Sequence, residues 1–147
     1  MKYQLLRAGD ERTWVVIFAA GDDAVAGLDE FARAESLDAA RLTAIGGFST
    51  ATLGYFDVGT SKYVPISVHE QVEVLSLIGD IAQGDDGPMV HAHVVVGTSS
   101  GAARGGHLLE ARVRPTLEVL VTESPGHLRR RFDPAFGIAL IDLSGER

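Results

Sequence analysis

Apolar positions recur along this chain with two periods, and the change from one to the other marks its elements. Lys2 to Arg7 and Thr13 to Ala19 flank the turn Ala8-Gly9-Asp10-Glu11, and Trp14-Val15-Val16-Ile17-Phe18 is rich in the aromatic and β-branched residues that fit a pleated surface. This predicts an opening hairpin. Val25, Leu28, Phe31 and Ala32 then fall at helical spacing, with Asp29, Glu30, Arg33 and Glu35 mostly on the other side. The spacing predicts a helix over about Asp23 to Glu35, its acidic start complementing the helix dipole.

Beyond the helix the period returns to two. Arg41 to Phe56 reads as a strand interrupted at Gly46-Gly47, where paired glycines predict a bulge or a close backbone approach. Lys62 to Ile66 is a short strand confined to an edge by Pro65. In Glu70 to Ile81, Val72, Val74, Ser76 and Ile78 alternate with Glu73, Leu75, Leu77 and Gly79; both faces are largely apolar, which predicts a central strand. A loop over Gln83 to Pro88 leads into a strand beginning at Met89. Arg112 to Thr122 follows, with Leu117, Val119 and Val121 on one face, and then a short return strand over His127 to Phe132 and an apolar segment over Phe136 to Leu143. Many strands, one helix and short turns point to an α+β fold, mainly an antiparallel sheet with one amphipathic helix, filling residues 1–147 as a single domain.

Composition narrows the functions. With 46% hydrophobic and 22% charged residues the chain reads as an ordinary globular protein. No apolar run approaches the roughly 20 residues of a bilayer span, and the first residues lack the apolar core of a secretory signal, so a cytoplasmic location without membrane contact is expected. The absence of cysteine excludes disulfides, thiol catalysis and thiolate metal sites, leaving imidazole, carboxylate and water as ligands. A net charge of -7 opposes non-specific binding to nucleic acid. Candidate nucleic-acid contacts reduce to Arg112 with Arg114, which alternate onto one strand face, and the run Arg129, Arg130, Arg131, a pattern more often met on a solvated surface.

The richest chemistry lies in Met89 to His107, MVHAHVVVGTSSGAARGGH. In a strand His91, His93 and Val95 share one face while Val90, Ala92, Val94 and Val96 share the other. The two imidazoles sit on backbone positions roughly 7 Å apart, near enough to converge on one ion, and the Gly/Ser turn can return His107 beside them. Three neutral imidazoles would hold a transition metal and leave a position open to water or a small-molecule ligand. Zinc suits such nitrogen donors, as do nickel, copper and iron. Glu73 and Glu110 are candidates to hold a ring N–H or to act as a base. The plainer reading is a pair of histidines filling the polar face of a strand, with Glu73 a solvated or hydrogen-bonded glutamate. An open site of this kind can make hydroxide from bound water, so a metal-dependent enzyme acting on a small polar molecule is a second function class. A cupin-like assignment fails because Val94 to Gly101 contains no carboxylate, and Ser99 and Ser100 read as turn formers.

Three segments in order resemble the plant and prokaryote conserved (PPC) domain family. Val72-Glu73-Val74-Leu75-Ser76-Leu77-Ile78-Gly79 is similar to its Glu-Ile-Leu-Ser-Leu-x-Gly strand, and Arg104-Gly105-Gly106-His107-Leu108-Leu109 to its Gly-Gly turn after a His-containing strand. Ile45 to Gly54 is similar to its glycine-rich strand. The resemblance implies an antiparallel α+β fold, a homotrimer and a DNA-associated regulatory role, the label that prokaryotic members commonly carry. Plant members add an AT-hook for the minor groove. This chain has no Arg-Gly-Arg-Pro hook, and Arg129-Arg130-Arg131 lacks the glycine and proline of one. In having the histidine pair it resembles bacterial rather than plant members.

Overall fold

The structure, a computed structural model, describes residues 1–144. The opening hairpin forms from β1 (Lys2–Arg7) and β2 (Thr13–Ala19), paired antiparallel with Leu5 opposite Trp14. Helix α1 (Ala24–Ala34) follows, and Asp23 caps it by accepting hydrogen bonds from the backbone of Val25 and Ala26 at 3.1 and 3.0 Å. Its buried residues, Ala24, Leu28, Phe31 and Ala32, lie on one side and pack towards the sheet.

The other main strands are β3 (Ala39–Asp57), β4 (Lys62–Val68), β5 (Val72–Gly84), β6 (Gly87–Gly97) and β7 (Ala103–Glu123). They complete a seven-stranded sheet in the order β1-β2-β7-β6-β5-β3-β4, with every pairing antiparallel. Strand β7 also pairs with β3, so the path β3-β5-β6-β7 closes on itself. The two long strands make this closure. Trp14, Phe18, Phe31, Phe48, Leu42, Leu77 and Leu117 fill the core, each almost fully buried. Strand β4 lies at an edge, as Pro65 predicts.

Gly46 shows why paired glycines stand inside β3. Its φ is +147°, and a Cβ there would run into the carbonyl oxygen of Thr116, while one at Gly47 would meet that of Arg114. The backbone of β7 therefore crosses closely enough to exclude a side chain at either position.

Three sequence expectations need correction. Strand β5 is central, but its faces do not alternate evenly. A bulge between Val74 and Ser76 shifts the register, so Leu77 joins Val72, Val74 and Ile81 in the core while Leu75 and Ile78 face outwards. The expected loop over Gln83 to Pro88 shrinks to Asp85-Asp86, because Gly84 already pairs with Gly87. Finally, β8 (Arg130–Asp133) and β9 (Ile138–Ile141) pair with each other in a separate two-stranded sheet.

Candidate metal centre

The tight turn at Asp85-Asp86 fixes what lies beside the histidine strand. Ile78 faces His93 and Asp80 faces His91 across β5 and β6, and His93 faces His107 across β6 and β7. Strand alternation turns Ala92, Val94 and Val96 into the core and His91 and His93 to the outer side. The ring centroids of His91, His93 and His107 are 5.0 to 5.4 Å apart, and one nitrogen from each lies within 4.8 Å of the others. Tyr63, from β4, stacks on His107 at 4.7 Å.

The electrostatics favour the neutral form of two of these rings, His93 and His107. Burial, reinforced by His91, His93 and Arg130, pushes His107 down to about 4. Burial followed by His91 also lowers His93. A neutral imidazole has a lone pair to give, which a cation needs and a proton would block. His107 Nδ1 is closed to water and has no hydrogen-bond partner, a costly state for a polar atom. An ion among the rings would remove such a cost. Nitrogens around tetrahedral zinc lie about 3.4 Å apart, so binding would draw this trio, within 4.8 Å of one another, closer together. The donor set therefore fits a borderline transition metal.

Behind His91 stands a pair that sequence reasoning missed. Arg130 Nη2 donates to both carboxylate oxygens of Asp80, at 2.8 and 3.0 Å, and lies 3.0 Å from His91 Nδ1. Asp80 itself is 3.5 Å from that nitrogen. Burial alone would raise the Asp80 pKa, but the hydrogen bonds from His91 and Arg130 outweigh it and the net shift is downward. Two partners thus compete for His91 Nδ1. Arg130 can only donate to it; Asp80 can only accept from it, and only in that second state is the Nε2 lone pair available.

The expected carboxylates lie elsewhere. Glu73 is exposed on β5 opposite Gly97, five positions and so roughly 17 Å along the strand from the residue facing His93. Glu110 is exposed on β7 and lines a separate cleft with Asp23, His69 and Arg112. Neither makes a hydrogen bond or ion pair to the histidines among the described residues, and Asp80 occupies the place assigned to them. The arginines also divide. Arg112 and Arg114 are exposed on β7, as their alternation predicts, with Arg112 3.7 Å from Asp23. Arg129 lies 3.7 Å from Asp85 and Arg131 3.1 Å from Asp142. Arg130 is only 7% exposed, so the surface role read for it is corrected: its guanidinium is turned inwards to Asp80. Among the described residues no helix is long and apolar enough to cross a membrane.

Known proteins share this fold. The Plants and Prokaryotes Conserved (PCC) domain matches residues 6–125. A crystal structure from Ralstonia eutropha described as a "Putative DNA-binding protein" is 31% identical, with 97% of this chain and 96% of that one covered and a TM-score of 0.86. A plant- and prokaryote-conserved protein from Pyrococcus horikoshii is 27% identical over 99% and 97% of the two chains, with a TM-score of 0.84. A protein from Archaeoglobus fulgidus described as metal-containing is 31% identical over 95% and 96%, with a TM-score of 0.82. No curated protein matches the sequence significantly. With the domain matched over most of its length and these relatives covering nearly all of it, the chain belongs to the plants and prokaryotes conserved domain family.

Proposed function

We propose that this chain is a homotrimeric metal-binding protein that holds one transition metal, zinc by preference, on His91, His93 and His107 and presents it to a small ligand. The observation that carries this reading is the convergence of three imidazole donors, one with an orphaned nitrogen, on an outer sheet face. The metal-containing relative from Archaeoglobus fulgidus supports it. Zinc bound by three histidines supplies a Lewis acid with a position open to water or ligand. The chain's own residues prepare the site: Asp80 draws the His91 proton to Nδ1, and Arg130 holds that carboxylate in place. A trimer accounts for an apolar outer face on which Ile45, Leu75, Ile78 and Leu120 are each more than half exposed. X-ray absorption of zinc-reconstituted protein is expected to show imidazole scattering, with nitrogen ligands at about 2.0–2.1 Å. A spectrum with oxygen ligands and no imidazole signature would overturn the assignment.

Regulatory association with DNA is a second reading, favoured by the description of the Ralstonia relative and opposed by the charge of -7 and the carboxylates beside Arg112, Arg129 and Arg131. Binding to a labelled duplex at low salt that weakens steeply as salt rises would support it, and no binding at low salt removes it.

A further inference from the structure

The β8–β9 hairpin lies beyond the residues matched by the family domain, yet it closes one side of the histidine cluster. Beneath it is a cavity of about 280 Å³ with Tyr63, Met89 and Leu140 among its apolar walls and His91, His107 and Arg130 at its polar end. The described residues contain two buried side-chain nitrogens or oxygens without a hydrogen-bond partner, His107 Nδ1 and Arg130 Nε, and both belong to residues lining this one cavity. Arg130 is 7% exposed and has committed Nη2 to Asp80 and His91 and Nη1 to the Ala139 carbonyl oxygen. The Nε N–H of this desolvated guanidinium is left without a partner. A buried donor in that state costs free energy that a ligand acceptor would recover.

We propose that this cavity binds a small organic carboxylate with a short apolar chain. Its carboxylate lies at the histidine end, between Arg130 and the ion held by the three histidines, and its chain lies against Met89, Ile138 and Leu140. The proposal rests on the metal reading above. Charge decides the head group. Asp80 balances Arg130, so a divalent ion on the three imidazoles makes the polar end cationic and an anion the favoured guest. The unpartnered Nε N–H suits one carboxylate oxygen, whereas a phosphate head would bring more acceptors than this wall can meet. Volume decides the tail. Given a water's share of about 30 Å³ in the liquid, the cavity takes about nine non-hydrogen atoms, close to hexanoate.

The test is calorimetric titration of zinc-loaded protein with hexanoate, acetate and hexanol, on wild type and on Leu140→Asp, with zinc per chain measured in both. Hexanoate is expected to bind at least about tenfold more tightly than either control, and Leu140→Asp to lose that margin while keeping its zinc. Equal binding of hexanoate and acetate by a protein that holds zinc would overturn the carboxylate site and leave the metal reading standing. Hexanoate binding that is unchanged by removing zinc would overturn the placement of its head beside the ion. A chain that takes up no zinc refutes the metal reading and this proposal with it.

Discussion

At the scale of single residues, the candidate site is three imidazoles, two of them, His93 and His107, made less basic by burial, and the third, His91, set beside Asp80 and Arg130. Asp80 competes with Arg130 for His91 Nδ1, and the metal reading needs Asp80 to hold the proton there. Asp80→Asn is therefore expected to lower zinc affinity by about 10- to 100-fold in competition with a chromophoric chelator, with the fold intact by circular dichroism. Unchanged affinity would mean that Asp80 serves only to neutralise Arg130. His107 gives the site a pH dependence in chelator-treated protein. Its folded pKa of about 4 lies below the ordinary histidine value, so as pH falls the unfolded chain takes up the proton first. Stability is then complete above about pH 6.5 and declines from there towards pH 4. Urea midpoints measured across this range should fall, and should fall less in His107→Gln. The histidine trio was legible because strand alternation and a glycine turn act over a few residues. Asp80 was hidden by the turn: had Gly84 been paired with Gly87, the register would have set Asp80 opposite His91. Arg130 comes from a separate hairpin 50 positions from Asp80, a distance no local pattern spans.

At the scale of elements, local preference and tertiary demand agree almost everywhere. The opening hairpin, the capped helix and the edge strand follow from turn chemistry, helical spacing and one proline. Strand β5 departs because its bulge obeys a pairing with β6 that apolar alternation does not encode, and that bulge turns Leu75 and Ile78 to the outside. The glycines of β3 were legible as a close approach, though not which backbone approaches. Gly46→Ala would place a methyl group against the Thr116 carbonyl at a φ that side chains rarely adopt. A loss of about 3 kcal/mol in denaturant unfolding is expected, since backbone cannot yield as a flexible side chain can. A loss below about 0.5 kcal/mol, the scale of an ordinary surface substitution, would show that the two strands separate freely there.

At the scale of the whole molecule, a sheet that buries one face and leaves Ile45, Leu75, Ile78 and Leu120 exposed on the other resembles half of an interface. If the proposed trimer is built on this face, Ile78→Glu should run as a monomer in light scattering, because the charge would enter an apolar contact; wild type running as a monomer would leave that face for another partner. Ile78 lies opposite His93, so assembly and the histidine site border one another. The proposed role of this site depends on those histidines holding an ion. Elemental analysis of untagged protein, wild type beside His93→Ala, asks this most directly. About one transition metal per chain is expected in the wild type, on the three-imidazole donor set, and its loss in the variant. No metal in either sample after incubation with zinc would contradict it, returning the three rings to a structural role.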